Sequence, residues 1–352
     1  MSLNSSKRNF LKTAAFSALL QMSGIRGVYA EKSGTASPIH VIIPKEYEPP
    51  VEPADQQGLT QAVLLYISDC YRGKKLPVWG RPFEDVNLEK RITNIVYWIA
   101  SGIKEHRNIY PIDPAWVVAQ IMAESFFYEF AISKSLAVGL CQFILPTARE
   151  YGILCAGDRP EHGKAPYSNP ESAVKAEEYY RLKKELQDCK ENDAPENMLT
   201  IESALKIIAK GDCSTQKEYA GKHLNYLNRL HESDQKILTA RDQYRTYLQQ
   251  NIIAESGQEK DIFKDTDFFR EFDERFTYKK PISAMVQMLA KGLKSKNGNI
   301  LASAAGYNAG LSRTEDSGPY KPYGKIPAIS ETATYLSHVL VNHYEIIKRI
   351  GE

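Results

Sequence analysis

A helix that carries a carboxylate on its apolar stripe constrains this chain more than any other feature. The stretch from Ala115 to Gln142 begins as an amphipathic helix, and Asp113 is placed to cap it. Val117, Ile121 and Glu124 follow at i, i+4 and i+7, so they share one face. Burial on that face would raise the pKa of the Glu124 carboxyl, as a general acid near neutral pH requires.

Apolar residues at helical spacing predict a mostly α-helical fold along the rest of the chain. Clear stripes begin at Leu88, at Pro281 and near Ser330, and a helix of small residues runs from Ile300 to Ala305. From about residue 154 to 277 the chain is charged, rich in tyrosine and poor in valine. Three helical stretches lie there (171–190, 197–210 and 215–255), which predicts an antiparallel helical insertion that packs on itself.

The first 30 residues have the three-part layout of an export signal. A basic segment with Lys7 and Arg8 precedes a mild apolar run from Ala14 to Met22 and the small residues around Ala30. The segment resembles the twin-arginine pattern with Lys7 in place of the first arginine, so that route and ordinary secretion both stay open. A merely disordered basic N-terminus is the alternative. The prediction is a protein exported to the periplasm or cell envelope, followed at residues 31–58 by a Pro-rich linker or surface strap.

Composition excludes several other classes of protein. The formal net charge of +2 would become −2 without residues 1–30, which carry four basic and no acidic residues, so nucleic acid is not a predicted partner. No other segment approaches 18 apolar residues, and no transmembrane helix is predicted. Five cysteines allow at most two bridges, with Cys141–Cys155 and Cys189–Cys213 as candidate pairs whose connectivity stays open. Neither a metal nor a cofactor is indicated, because cysteines and histidines lack ligand spacing.

Short separated motifs resemble, in order, those of the soluble-type lytic transglycosylases, which are relatives of goose-type lysozyme. Glu124-Ser125 matches the family's Glu-Ser pair, and Ser133 follows nine residues after Glu124. The next matches are Gly139-Leu140-Cys141-Gln142, Pro146-Thr147-Ala148, Tyr307-Asn308-Ala309-Gly310, and Glu331-Thr332 with Tyr335. Each match alone is weak, and their order makes them specific together. Cys141 departs from the family's methionine, and the segment between Ala148 and Tyr307 is longer than usual in the family.

The resemblance implies a lysozyme-like, goose-type catalytic domain, mostly α, with a large helical insertion. The predicted organisation is an export signal (1–30), a Pro-rich linker (31–58), N-terminal helices packed on the core (59–112), a first catalytic part (113–153), the insertion (154–277) and a second catalytic part (278–352).

The resemblance also implies cleavage of the β-1,4 bond between N-acetylmuramic acid and N-acetylglucosamine in peptidoglycan, with 1,6-anhydro ends. Glu124 would be the single general acid and base, because the substrate's acetamido group replaces a second carboxylate. Glu129 lies five residues further along, on the opposite side, and is rejected as a partner. The implied substrate-binding residues are Ser125, Ser133, Gln142, Tyr307, Asn308, Glu331 and Tyr335. A local helix cap for Ser125 and a core position for Tyr335 are equal alternatives.

Two other functions stay open. The first is a lysozyme-type hydrolase that cleaves the same bond with water. The second is a non-catalytic, peptidoglycan-binding envelope scaffold. The predicted partners are peptidoglycan glycan strands and, through the 154–277 insertion, another envelope protein.

Overall fold

The computed structural model describes residues 41–157, 170–195, 200–210, 214–316 and 321–350. The predicted export signal, the first part of the predicted linker and Cys213 lie outside the described residues.

Helices make up nearly all the regular structure of these ranges, and the β-type pairings among them are isolated bridges. In chain order the helices are α1 (Pro53–Tyr71), α2 (Leu88–His106), α3 (Pro114–Ser125), α4 (Leu145–Glu150), α5 (Pro170–Asn192), α6 (Ile201–Lys210), α7 (Ser214–Ile252), α8 (Thr266–Phe272), α9 (Lys279–Ser295), α10 (Ile300–Ala309) and α11 (Ser330–Ile347). The predicted fold class, mostly α, is confirmed.

The helix α3 lies at the centre of the core. It packs against α2 and α11, while α2 also packs against α1 and α9. As predicted, Asp113 caps the helix, accepting a hydrogen bond from the backbone N–H of Ala115 at 2.9 Å. Every residue from Pro114 to Met122 is buried, so the prediction of an amphipathic helix is wrong for this part. Neighbouring helices cover both of its faces, as expected for a helix that is apolar all round.

The N-terminal helix α1 begins earlier than the sequence predicts. Pro53 occupies its first turn, and Glu52 and Asp55 form a reciprocal capping box. The end of the predicted linker is therefore helical, because a proline in the first turn starts a helix as readily as it breaks one. Ahead of α1, the N–H of Ile43 donates to the carbonyl of Gly298 at 2.9 Å, which ties Ile43 to the turn between α9 and α10.

The helices α5 and α7 pack along each other as an antiparallel pair. An ion pair of 3.0 Å joins Asp193 and Arg229 at one end. At the other end the Lys175 ammonium lies 5.7 Å from the ring centre of Tyr247. The insertion thus packs on itself in the antiparallel manner predicted, although its boundaries at 154 and 277 stay a prediction.

Cys70, Cys141 and Cys189 are free thiols. A Cys141–Cys155 bridge is therefore wrong: Cys141 is buried near Glu124, while the thiol of Cys155 donates to the carbonyl of Ile153 at 3.4 Å. Among the described residues, no helix is long and apolar enough to cross a membrane. The same residues contain no cluster of three or more side chains suited to a metal ion.

Candidate active site

Glu124 lies in the last turn of α3, where the chain leaves the core. Phe126 and Phe127 have left-handed φ angles of 51° and 62°, which end the helix abruptly. Such angles are uncommon for residues other than glycine. Both phenylalanines are buried, so packing holds the turn in place. The result is a half-buried carboxylate at a helix end.

The environment of Glu124 favours the protonated carboxyl. Burial raises its pKa from an ordinary 4.5 to about 7, and the approach of the Tyr335 hydroxyl opposes part of that rise. The Tyr335 hydroxyl is itself buried and makes no hydrogen bond of good geometry within the described structure, so its contact with Glu124 is a weak one. A carboxyl with a pKa near 7 can both give and take a proton at neutral pH.

Three side chains from distant parts of the chain surround Glu124. Cys141 comes from the segment between α3 and α4, Tyr307 from α10 and Tyr335 from α11. Burial is the main cause of the raised pKa of each group, and the negative charge of Glu124 adds to it. The Tyr307 hydroxyl also donates to the carbonyl of Cys141 at 2.6 Å. Motifs that are far apart in the sequence therefore meet at the carboxyl.

The cleft loop, defined as residues 139–143, has a tightly fixed backbone. Gln142 has a φ of 49°, and its side-chain N–H₂ group donates to the carbonyls of Gly139 at 2.8 Å and Ala131 at 3.2 Å. Gly139 has a φ of 79°, and a Cβ there would lie 1.9 Å from the carbonyl oxygen of Arg275. Only glycine fits this position. The Gln142 side-chain nitrogen is engaged within the loop by both of its hydrogen bonds.

The two serines of the predicted site make local hydrogen bonds. Ser125 is fully buried, and its hydroxyl donates to the carbonyl of Ile121 at 3.3 Å, so the predicted substrate contact gains no support. Ser133 is half-buried, and its hydroxyl oxygen accepts the backbone N–H of Ala137 at 3.0 Å and of Ser135 at 3.2 Å. Ser133 therefore shapes the turn that precedes the cleft loop.

The polar residues of α10 and α11 divide into a bonded pair and a separate carboxylate. Asn308 is exposed, and its side-chain oxygen accepts a hydrogen bond from the Thr332 hydroxyl at 2.9 Å. Thr332 is buried and links α11 to the end of α10. Glu331 is exposed and forms no ion pair or hydrogen bond with the described residues, so the structure does not bring it to Glu124.

Glu129 is engaged elsewhere, in line with its rejection as a second catalytic carboxylate. Its side chain is fully buried and receives three hydrogen bonds from the Arg91 guanidinium, at 2.8, 3.0 and 3.1 Å. This ion pair fixes the loop after α3 to α2.

Sequence reasoning assigned no role to two sets of residues that support the site. Thr332 was quoted only as part of a motif. Asp273 and Arg275 form a fully buried ion pair, although they belong to the stretch that the sequence shows as charged. The signal that was available is local: both charged residues stand among the phenylalanines at 272 and 276, an apolar setting that solvated charges seldom share.

Comparison with known proteins supplies one match. Residues 101–196 match the family model of the transglycosylase SLT domain, a range that holds α3, the cleft loop and α4. The match stops before α10 and α11, so the roles of their motifs rest on their contacts around Glu124. Neither the curated proteins nor the solved structures gave a significant match to this chain.

Proposed function

We propose that this chain, in which residues 101–196 match the transglycosylase SLT domain, is a lytic transglycosylase that acts on peptidoglycan. It cleaves the β-1,4 bond between N-acetylmuramic acid and N-acetylglucosamine and leaves 1,6-anhydro ends. The observation that carries this proposal is the single half-buried carboxyl of Glu124, whose pKa is raised to about 7 by burial.

The reaction uses Glu124 twice. The protonated carboxyl gives its proton to the glycosidic oxygen as the bond between that oxygen and C1 breaks. The acetamido oxygen of the muramic acid bonds to C1 and stabilises the positive charge, as in substrate-assisted glycosidases. The Glu124 carboxylate then takes the proton of the C6 hydroxyl. The O6 atom bonds to C1, the acetamido oxygen leaves, and Glu124 is protonated again without consuming water.

The absence of a working second carboxylate among the described residues near Glu124 supports this mechanism over a two-carboxylate hydrolysis. Glu129 is locked in its ion pair with Arg91, and Glu331 is exposed without a contact to the site. An inverting hydrolase needs a second carboxylate to activate water. Neither residue is arranged for that role.

The residues around Glu124 either contact the sugar directly or position the groups that do. Gln142, Tyr307 and Asn308 line the cleft, with the Gln142 amide oxygen and the Asn308 amide nitrogen as hydrogen-bonding groups. Tyr335 orients the Glu124 carboxyl. Ser133 acts through the shape of its turn, and Ser125 through the end of α3. Glu331, which is exposed and makes no contact with Glu124, takes no part in the proposed reaction.

We further propose that the protein is exported to the cell envelope, where peptidoglycan lies. Docking of another envelope protein on the 154–277 insertion belongs to the same proposal. In its support, α6 exposes Ile201, Leu205 and Ile208 on one face.

Mass spectrometry of purified sacculi digested by the protein tests the reaction. Anhydro-muramic ends are expected, and reducing ends would instead identify a lysozyme-type hydrolase. Glu124→Gln is expected to abolish product formation while the variant still binds sacculi. Unchanged digestion by that variant would refute the mechanism, and no digestion by the wild type would favour the non-catalytic scaffold. Glu331→Gln is the matched control, because it removes an exposed carboxylate of the same motif set.

A further inference from the structure

The two connections between the insertion and the catalytic core are bonded to each other directly beneath the cleft loop. The chain enters the insertion at residues 154–156 and returns at 273–275. The backbone N–H of Glu274 donates to the carbonyl of Leu154 at 2.8 Å, and the N–H of Leu154 donates to the Glu274 carboxylate at 2.8 Å. The N–H of Ala156 donates to the Asp273 carboxylate at 3.0 Å.

An ion pair lies at the centre of this junction. The Arg275 guanidinium donates to the Asp273 carboxylate at 2.7 and 3.0 Å, and neither side chain has any exposed surface. A third donor atom of Arg275 reaches the carbonyl of Phe143, in the cleft loop, at 3.3 Å. A two-pronged bond of this kind fixes the plane of the guanidinium, and hence the direction of its remaining N–H groups.

The cleft loop also rests on the backbone of this junction. The Cα of Gly139 approaches the carbonyl of Arg275 so closely that no side chain fits between them. Arg275 therefore touches both ends of the cleft loop, with its carbonyl under Gly139 and its guanidinium on Phe143. Cys141 and Gln142 lie between these two points.

The long insertion helix α7 is fastened to the same junction. Tyr244 of α7 has no exposed surface, and its hydroxyl donates to the carbonyl of Ala156. Ala156 thus receives Tyr244 on its carbonyl and offers its N–H to Asp273. A continuous path of hydrogen bonds runs from α7 through Ala156, Asp273 and Arg275 to the cleft loop.

We propose that Asp273, Arg275 and Tyr244 are positioning residues of the active site, through which the root of the insertion holds the cleft loop against Glu124. The insertion then has a structural role in the active site, because its junction with the core sets how closely the cleft loop packs over the Glu124 carboxyl. The consequence for catalysis rests on the proposed function, whereas the structural claim about Glu124 does not.

The pKa of the Glu124 carboxyl depends on how closely the cleft loop buries it. A variant that only loses stability would leave this pKa unchanged. The groups that face Glu124 are Cys141 on the cleft loop, Tyr307 on α10 and Tyr335 on α11. Of these, Cys141 belongs to the loop, and Tyr307 is bonded to that loop through the Cys141 carbonyl. A loosened loop admits water to Glu124, weakens the burial and lowers the pKa of its carboxyl.

Two variants of the full chain separate positioning from folding. Asp273→Asn with Arg275→Met removes both charges together, so no buried charge is left unpaired, and the asparagine still accepts the Ala156 N–H. Tyr244→Phe removes one hydroxyl. The matched control is Arg91→Met with Glu129→Gln, which removes a second buried ion pair in the same way.

The titration of Glu124 is measured by carbon-13 NMR of glutamate-labelled protein, with Glu124→Gln identifying the signal. The double variant at 273 and 275 is expected to lower the midpoint of the Glu124 titration by at least about half a pH unit. Tyr244→Phe is expected to lower it by less, and the control variant is expected to leave it unchanged within experimental error. The upper pH limit of sacculus cleavage is expected to move with the midpoint.

Equal midpoints in the wild type and both junction variants would overturn the inference, whatever the loss of thermal stability. If the wild type releases no anhydro ends while the midpoints still move, the proposed function fails and the positioning role stands.

Discussion

Replacement of Glu124 by glutamine is expected to stabilise the fold at high pH and not at low pH. The folded pKa of about 7 lies above the ordinary value of 4.5, so the folded protein keeps this proton over a range where the unfolded chain has lost it. Below about pH 4.5 both states are protonated and Glu124 costs nothing. Between pH 4.5 and 7 the burial penalty grows, and above pH 7 it is fully present.

The size of the effect follows from the shift. A difference of about 2.5 pH units at about 1.4 kcal/mol per unit gives roughly 3 kcal/mol. Glutamine fills the same volume without titrating, so Glu124→Gln gains that amount above pH 7. For a domain of this size the gain corresponds to several degrees in the midpoint of thermal unfolding.

The assay is calorimetry of the wild type and Glu124→Gln at pH 4.5, 6 and 8. The difference in stability should be near zero at pH 4.5 and reach its maximum at pH 8. Glu331→Gln serves as control, since that carboxylate is exposed. A difference that stays constant across the three pH values would show that Glu124 is not protonated by burial, and the acid role derived from it would fall.

Three further substitutions test the site. Tyr335→Phe removes the hydroxyl that lowers the pKa of Glu124, so the upper pH limit of cleavage should rise; an unchanged limit would remove Tyr335 from the site. Gly139→Ala forces a Cβ against the carbonyl of Arg275 at a positive φ and should cost about 2 kcal/mol or more in denaturant unfolding; an alanine variant of wild-type stability would contradict the described loop. Tyr307→Phe leaves a loop carbonyl without its donor and should cost about 1–2 kcal/mol of stability with a larger fractional loss of cleavage, and a stability loss alone would make Tyr307 a packing residue.

The sequence predicted the helices well where apolar spacing and capping residues agreed. The cap at Asp113 and the start of α11 at Ser330 were both predicted from the sequence, because a polar residue precedes an apolar run at each position. The early start of α1 was missed, because prolines in a charged segment are compatible with a strap as well as with a first helical turn. Local pattern does not separate these outcomes.

The sequence names candidate site residues, but it does not show how their side chains are arranged. Glu124, Tyr307 and Tyr335 meet as the motif order implied, whereas Ser125 turns into the core and Glu331 stays apart. A side chain at a helix end has several directions available, and tertiary packing chooses among them. The buried Asp273–Arg275 pair was missed although Phe272 and Phe276 flank it, because the charged stretch as a whole does not show which side chains become buried.

The closed junction at the root of the insertion also bears on how the protein folds. Cys141 and Tyr307 must find each other across more than 160 residues, a separation that slows folding when the intervening chain is loose. Pairing of residues 154–156 with 273–275 closes the chain between them into a loop and shortens the effective separation between the helices before residue 154 and those after residue 275. Because loop-closure entropy grows only with the logarithm of length, the insertion can be lengthened or trimmed at its far end with little effect on assembly of the cleft. The refolding rate of the helical core should therefore depend on the junction and very little on the number of residues between 156 and 273.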